Sequence, residues 1–317
     1  MPANAERLTH SKPTAWADTP TAQHPPETER MSGNTDGTTP FAPAIDAHVH
    51  LFPKRLSAAI QRTLTAETGW EFPHSTDPES MEAALSAAGV ERYIALPYVH
   101  EPGGARSLNA WLTERAAESE GLIPFATVHP EDEAVGDIVR DAFDAGARGL
   151  KFHCPVQRCA PADPRIEPAL LAAVEYDRPV TYHGGTAPMF EDSPHVGADR
   201  FAEVVDSYPE LRVNCAHMGT YEVPAFLGMA REHDTVYLDT TFAMSTEAGE
   251  TMGFDPSTVA DATLIDLSDS IMYGSDFPNI PYPYRAERAQ LLGRDLPTET
   301  YRDIFYRTAT EFLGGGD

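Results

Sequence analysis

The sequence predicts a single (β/α)8 barrel over residues 41–317, preceded by a disordered tail over residues 1–40. Three observations point to this fold. Eight short apolar runs rich in β-branched residues alternate with segments of helical hydrophobic period. The chain from Ala44 to Asp317 has the length of one such barrel. Histidines and aspartates recur where the apolar runs end, and barrels of this kind carry their chemistry at the carboxyl ends of their strands.

The apolar runs define the strands. The predicted strands are Ala44–His48, Arg92–Leu96, Ile123–Val128, Gly149–His153, Pro179–His183, Arg212–Ala216, Val236–Asp239 and Ser270–Gly274. A doubly wound open sheet is the alternative fold for alternating strands and helices. That fold would need a glycine-rich phosphate-binding turn after its first strand, and "HLFPKRL" is not such a turn.

The segments between the strands have the period of amphipathic helices. Asp77 and Ser257 are expected helix N-caps, because each directly precedes a segment of helical pattern. The long stretch from His50 to Ser75 is expected to be a loop. The predicted helices are Asp77–Ala88, Ser107–Ser119, Glu131–Ala145, Pro164–Glu175, Gly197–Ser207, Val223–Glu232, Ser257–Leu267 and Thr298–Phe312.

Composition limits the partners. Residues 1–40 are rich in Pro, Thr, Ala and Glu without a hydrophobic period, which predicts disorder. The chain has 23 basic and 49 acidic residues and a net charge of −26, so its surface would repel nucleic acids and anionic lipids. High acidity with only three lysines (Lys12, Lys54 and Lys151) suggests a halophilic protein of a salt-rich cytoplasm.

The cysteines and the hydropathy indicate an intracellular protein. Cys154, Cys159 and Cys215 are too few for a disulfide framework, and Cys215 is expected to be a buried free thiol. Cys154 and Cys159 could ligate a metal, but no second cysteine pair accompanies them. No apolar stretch is long enough to span a membrane, and the N-terminus lacks the apolar core of a signal peptide. We therefore expect a cytoplasmic protein with no membrane partner.

The first predicted strand carries the motif "AIDAHVHLF". Because successive side chains of a strand point to opposite faces, Asp46, His48 and His50 are expected to share one face. Two imidazoles on one face can bind the same metal ion, whereas the alternative is a half-buried strand with two solvated histidines. A metal site would need further ligands from other strands.

Three more titratable residues end predicted strands. His183 ends the fifth strand, His217 the sixth and Asp276 the eighth. If the strands close into a barrel, these side chains converge on one rim with those of the first strand. The sequence therefore predicts one metal site at the carboxyl ends of the strands.

The chain resembles the amidohydrolase superfamily, and most closely its branch that includes aminocarboxymuconate-semialdehyde decarboxylase and γ-resorcylate decarboxylase. The resemblance extends from about Pro43 to the C-terminus. It is carried by an ordered set of motifs: "IDAHVH", "GLKFH", "YHGG", "AHMG" and "YGSDFP".

This resemblance implies a ligand set. His48, His50 and His183 would bind a metal, with Asp276 as fourth ligand and general base. His217 would orient the attacking water or polarise the substrate carbonyl. Imidazoles and a carboxylate suit one divalent ion, with Zn²⁺ expected and Mn²⁺ or Fe²⁺ as alternatives. Asp46 is expected to support a ligating histidine.

Lys151 lies two residues before His153 on the fourth strand, so both are expected to point into the barrel. In some relatives a lysine at this strand is carbamylated and bridges two metals, and only then would a second metal be expected here. Lys151 could instead neutralise buried acids or bind a substrate carboxylate. His153 is expected to line the pocket.

The expected function is hydrolysis of an amide, ester or lactone of a small molecule by metal-activated water. One alternative is metal-dependent, non-oxidative decarboxylation of a small aromatic or unsaturated acid, and another is a non-catalytic metal- or ligand-binding barrel. A homodimer is expected from the relatives. Candidate substrate-binding residues at the rim are Arg55, Trp70, Arg106 and Phe277.

Overall fold

The computed structural model describes residues 43–186 and 189–315. The tail expected over residues 1–40 lies outside the described residues. The predicted (β/α)8 barrel is confirmed. Its strands are β1 Ile45–Val49, β2 Arg92–Ala95, β3 Leu122–Pro124, β4 Leu150–His153, β5 Val180–His183, β6 Val213–Cys215, β7 Val236–Asp239 and β8 Ile271–Met272.

All neighbouring strands are parallel and follow the chain order. Strands β1 to β3 form one continuous hydrogen-bonded sheet, and β4 to β8 form another. Two bridges close the ring, one between Ala126 and Leu150 and one between Val49 and Phe277. The amide of Ala47 also donates to the carbonyl of Tyr273 at 2.8 Å. The first and last strands therefore meet, which brings their carboxyl ends to one rim.

The helices occupy the segments between the strands. They are α1 Lys54–Thr68, α2 Pro78–Ala87, α3 Ala105–Ala116, α4 Val135–Asp144, α5 Cys154–Gln157, α6 Glu167–Glu175, α7 Ala198–Ser207, α8 Val223–Glu232, α9 Ala248–Thr251, α10 Asp261–Asp266, α11 Ala286–Leu292, α12 Thr298–Arg302 and α13 Thr308–Phe312. Short 3₁₀ turns span Ala216–Gly219 and Pro256–Thr258. Within the described part of the chain, no helix is both long and apolar enough to cross a membrane.

Two local predictions were wrong and one N-cap is confirmed. The stretch after β1 is not a loop, because residues Lys54–Thr68 form α1. Ser257 does not cap a helix: its amide donates to the Asp255 carboxylate at 2.9 Å in a 3₁₀ turn, and α10 begins later. The Asp77 carboxylate accepts the amide of Ser80 at 3.3 Å, as expected of an N-cap.

The last predicted helix is interrupted. A π-helical turn, Asp303–Arg307, separates α12 from α13. The carbonyl of Ile304 in this turn accepts the amide of Tyr273 at 2.7 Å. A carbonyl engaged by a strand in this way is associated with a local break in the helical ladder. The C-terminal segment is thereby joined to the backbone that follows β8.

The barrel interior is apolar at one end and polar at the other. Phe312 of α13 packs against Tyr237 with ring centroids 5.1 Å apart and against Phe125 at 6.3 Å, so the C-terminal helix covers the amino-terminal end. The apolar layer consists of Ile45, Ala47, Ile94, Leu96, Ile123, Phe125, Tyr237, Met272, Ala309, Phe312 and Leu313. The opposite end of the interior holds the polar side chains described below.

Gly149, which directly precedes β4, lies against the ring of Phe125. A Cβ atom at Gly149 would be 2.4 Å from Cζ of that buried ring. By contrast, a Cβ at Gly228, within α8, would have no atom within 4 Å. Alanine substitutions at these two glycines therefore distinguish the effect of packing on stability from the effect of backbone freedom.

We expect Gly149→Ala to lower the free energy of unfolding by about 1–3 kcal/mol, because the methyl group overpacks the interior against Phe125. The matched variant Gly228→Ala should raise it by about 0.4–1 kcal/mol through the lower entropy of its unfolded chain. Urea denaturation of both variants and the parent measures the difference. If Gly149→Ala unfolds at the same urea concentration as the parent, the ring of Phe125 moves aside for the methyl group without cost and the prediction is wrong.

Candidate metal centre

Three buried side chains, one at the end of β1, one just after it and one in the segment after β8, converge at the polar end of the barrel. The Nε2 atoms of His48 and His50 are 3.3 Å apart. Oδ1 of Asp276 lies 3.2 Å from Nε2 of His48 and 3.1 Å from Nε2 of His50. One ligand atom from each of the three residues lies within 4.8 Å of the others. Such a group can hold a metal ion.

Backbone contacts between β1 and the segment after β8 fix this group. The amide of Asp276 donates to the carbonyl of His48, and that of His50 donates to the carbonyl of Phe277, both at 2.8 Å. Gly274 permits the close approach, since a Cβ there would lie 2.6 Å from Oγ1 of Thr241 and 2.9 Å from Cβ of His48. Any side chain at Gly274, the glycine of the "YGSDFP" motif, would therefore collide with these atoms.

The expectation that Asp46 would share a face with the histidines and support one of their rings was wrong. The register of β1 against β2 shifts between Asp46 and Val49, so the simple alternation of faces is broken there. The Asp46 carboxylate accepts the hydroxyls of Ser275 and Tyr284 and the backbone amide of His48. Asp46 thus supports the backbone of the motif.

Hydrogen bonds assign the tautomers of His48 and His50. Nδ1 of His48 donates to Oδ2 of Asp239 at 2.9 Å, and Nδ1 of His50 donates to the carbonyl of Leu96 at 2.8 Å. Burial lowers the pKa of His48 to about 4, so this ring is neutral at pH 7. Each Nε2 then offers a lone pair. Two lone pairs and a carboxylate oxygen face one another, and a cation between them would satisfy all three.

His183 and His217 form a second pair beside this group. Nδ1 of His217 donates to the carbonyl of Thr241 at 3.3 Å, so its Nε2 accepts the Nδ1 proton of His183 at 3.1 Å. Burial lowers the pKa of both rings. Nε2 of His183 is buried, has no hydrogen-bond partner among the described residues, and offers a third lone pair. His183 is not part of the close group of three. Its partner His217 contacts that group, since the ring centroids of His217 and His48 are 5.4 Å apart.

These residues fit a divalent ion. Neutral imidazole nitrogens with a carboxylate oxygen are a donor set that zinc, manganese and iron all accept. The orphaned Nε2 of His183 is a buried polar atom that an ion would satisfy. Burial alone would raise the pKa of Asp276, but the neighbouring imidazole of His50 holds it below its usual value. Asp276 is therefore ionised at neutral pH.

Asp239 at the end of β7 is a site residue that the sequence reasoning missed. Its carboxylate accepts Nδ1 of His48, Nδ2 of Asn214 at 2.9 Å and the amide of His217 at 3.1 Å. Burial would raise the pKa of Asp239, but the neighbouring ring of His48, which donates a hydrogen bond to it, holds it far below its usual value. The sequence does contain a signal for Asp239, because the residue ends the apolar run "VYLD". A titratable residue at the end of such a run was the criterion that identified His183, His217 and Asp276.

A cavity of about 570 Å³ lies beside the centre. Its lining includes His153, whose ring is parallel to that of His183 with centroids 4.3 Å apart. Phe190 meets both imidazoles edge-on, at 5.6 and 5.1 Å. Tyr98, also in the lining, is 4.8 Å from the His153 ring and 5.4 Å from that of His50. A layer of flat rings therefore joins the cavity to the centre.

The candidate substrate-binding residues lie elsewhere. Arg55 is exposed on α1, and the exposed Arg106 pairs with Asp141. Phe277 is buried against the ring of His74 at 4.8 Å. None of these is in the cavity lining, nor is Trp70, which stacks on Phe242 at 5.8 Å. The aromatic lining residues Tyr98 and Phe190 had no sequence signal, because their positions depend on loop geometry.

Comparison with known proteins identifies the family and the fold. The model of a family described as "Amidohydrolase" matches residues 45–315. A TIM-barrel protein of Bordetella bronchiseptica is 17% identical with a TM-score of 0.66, covering 85% of this chain and 98% of that one. No curated protein matches the chain.

Two decarboxylases also have this fold. The 5-carboxyvanillate decarboxylase of Novosphingobium aromaticivorans, solved with manganese and a nitrobenzoic acid ligand, is 16% identical with a TM-score of 0.57, covering 89% of this chain and 98% of that one. The 2,6-dihydroxybenzoate decarboxylase of Rhizobium is 15% identical with a TM-score of 0.59, covering 85% and 98%. At these identities the likeness concerns the fold.

We expect Asp239→Asn to weaken Mn²⁺ binding by about 10–100-fold, because the amide no longer holds Nδ1 of His48 in its donor state. Titration of the metal-free protein with Mn²⁺, followed by electron paramagnetic resonance, measures the affinity. Asp141→Asn, which removes an exposed carboxylate, is the control and should bind as the parent does. Equal affinity in both variants would contradict the orienting role of Asp239.

Proposed function

Because the chain belongs to the amidohydrolase family, we propose that this metal-dependent enzyme decarboxylates a small aromatic or unsaturated carboxylic acid without an oxidant. The observation that carries the proposal is one compact group of His48, His50 and Asp276 beside a cavity whose lining includes the rings of Tyr98, His100, His153 and Phe190. The similarity to two aromatic-acid decarboxylases supports this reaction over the hydrolysis expected first.

A divalent ion would be held by Nε2 of His48 and His50, Oδ1 of Asp276 and Nε2 of His183. When bound, it would supply positive charge that binds the carboxylate and stabilises charge developing on the substrate. Manganese in the carboxyvanillate decarboxylase supports Mn²⁺ as a candidate beside Zn²⁺ and Fe²⁺. The donor set does not select among the three.

Asp276 is the residue proposed to move the proton. In decarboxylation the bond between the substrate carbon and its carboxylate breaks, CO₂ leaves, and the electron pair remains on the carbon. That carbon must then receive a proton. An ionised Asp276 can take a proton from water or from an acidic group of the substrate and deliver it to this carbon. Its pKa, held low by His50, favours the ionised form before the reaction.

The remaining groups position the reactants. His217 holds the ring of His183 through its Nε2 atom and is itself held by Thr241. The parallel pair of His153 and His183, with Phe190 at its edge, offers flat rings against which a planar substrate can pack. Burial of the whole group limits its contact with bulk solvent during the reaction.

Hydrolysis is the second candidate. The observation that favours it is the ionised state of Asp276 at the edge of the metal group, which suits a base that takes a proton from an attacking water. The same ligands would then serve cleavage of an amide, ester or lactone. Membership of an enzyme family disfavours the third expectation, a non-catalytic barrel.

We expect the Mn²⁺-loaded protein to release CO₂ from at least one hydroxybenzoic acid, with 2,6-dihydroxybenzoate and 5-carboxyvanillate as the first substrates to test. Removing the metal with a chelator should abolish the release, and adding Mn²⁺ back should restore it. Headspace CO₂ and loss of substrate absorbance measure the reaction. Hydrolysis of an ester or lactone without CO₂ release from any acid would favour the second candidate.

We expect Asp276→Asn to lower kcat by about 100-fold or more at saturating Mn²⁺, because the amide cannot carry the proton. Metal content must be measured in the same samples, since Asp276 is also a proposed ligand. Asp141→Asn serves as the exposed control. A variant that binds one equivalent of metal and keeps the parental kcat would place the proton donor elsewhere.

A further inference from the structure

Lys151 of β4 is a buried cation without a partner. Its side chain is 0% exposed, and Nζ makes no hydrogen bond to any residue that the structure describes. Removing an ammonium group from water costs several kcal/mol unless an anion or hydrogen bonds replace the water. Asp239 and Asp276 act on Lys151 through their charges, but no described residue accepts a hydrogen bond from its Nζ, which leaves that atom open to an anionic ligand.

Its position in the sheet puts Lys151 just below the metal group. Lys151 is in register with Thr181 of β5, and Thr181 with Asn214 of β6. The amide of Asn214 donates to Asp239, which in turn orients His48. The next inward positions along β4 and β5 are His153 and His183, which are also in register. The lysine therefore belongs to the layer directly beneath the rings.

Three unsatisfied nitrogens lie together on β4 and β5. They are Nζ of Lys151, Nδ1 of His153 and Nε2 of His183, all buried. The His183 nitrogen is accounted for by the proposed metal. The other two remain, and His153 also lines the cavity. Lys151 is not in that lining, but it lies two residues before His153 on the same strand, directly beneath it.

We propose that Lys151 and His153 form an anion-binding subsite beside the His48–His50–Asp276 group, and that it takes a carboxylate of the substrate. The identity of the anion rests on the proposed function. The subsite itself rests on the two unsatisfied nitrogens, one on a residue that lines the cavity and the other in the layer beneath the metal group.

The charges near the centre support an anionic ligand. Asp239 and Asp276 are ionised, and their charges raise the pKa of Lys151, whereas the larger effect of burial lowers it to about 8. Lys151 is therefore mostly charged at pH 7. With a divalent ion bound, these three side chains leave one net positive charge in a buried place. A monoanionic carboxylate would neutralise it.

The test compares Lys151→Met with Lys54→Met. Methionine is similar in length to lysine but carries no charge, and Lys54 is a matched control because its side chain is 68% exposed. Benzoate is the probe, and calorimetry on the Mn²⁺-loaded full chain measures its binding. We expect Lys151→Met to bind benzoate at least tenfold more weakly than the parent and Lys54→Met. It should keep one equivalent of metal and unfold at the same temperature or a higher one.

Each other outcome has a definite meaning. Unchanged benzoate affinity in Lys151→Met would overturn the proposal and leave Lys151 as a counter-charge for Asp239 and Asp276. So would a parent protein that shows no saturable benzoate binding. Loss of metal from Lys151→Met, with a mass gain of one CO₂ on Lys151 in the parent, would show a carbamylated metal ligand instead. If the lysine-dependent benzoate binding is found but no acid is decarboxylated, the proposed function fails and the subsite stands.

Discussion

The carboxylate of Asp239 is the interaction on which the candidate centre depends. It joins three strands, because it accepts hydrogen bonds from the ring of His48, the amide side chain of Asn214 and the backbone of His217. One contact selects the tautomer of His48, and another anchors His217, whose backbone has a φ of 58° that is uncommon for a residue with a side chain. Without this acceptor, the ring of His48 and the amide of His217 would lose this partner, and Asn214 would keep only its 3.5 Å contact with Thr181.

The fold was accessible to sequence reasoning because its signals are local. Short apolar runs and helical periods gave the eight strands and most helices, and Val236–Asp239 and Val223–Glu232 agree with the structure at both ends. Helix α1 was missed because its apolar residues are few and its N-cap is Pro53, without a side-chain hydrogen bond. The break of the last helix at Asp303 depends on a tertiary hydrogen bond to Tyr273, which no local pattern contains.

The site was partly accessible for the same reason. Strand-end residues are recognisable along the chain, so the grouping of His48, His50 and Asp276 follows once the barrel closes. Which carboxylate supports which ring is not recognisable, because the register shift in β1 takes Asp46 away from that task and Asp239 performs it. The cavity lining depends on loops packed in three dimensions. Salt adaptation and a dimer rest on composition and resemblance and stay predictions.

The closure of the barrel between β1 and the segment after β8 has a consequence for biosynthesis. Asp276 is synthesised 226 residues after His50. The contacts between the amide of Asp276 and the carbonyl of His48 therefore span most of the chain, and such long-range contacts form late in folding. A nascent chain cannot assemble the three-ligand group before its final strand has emerged. Binding of a metal by all three residues is therefore coupled to closure of the barrel.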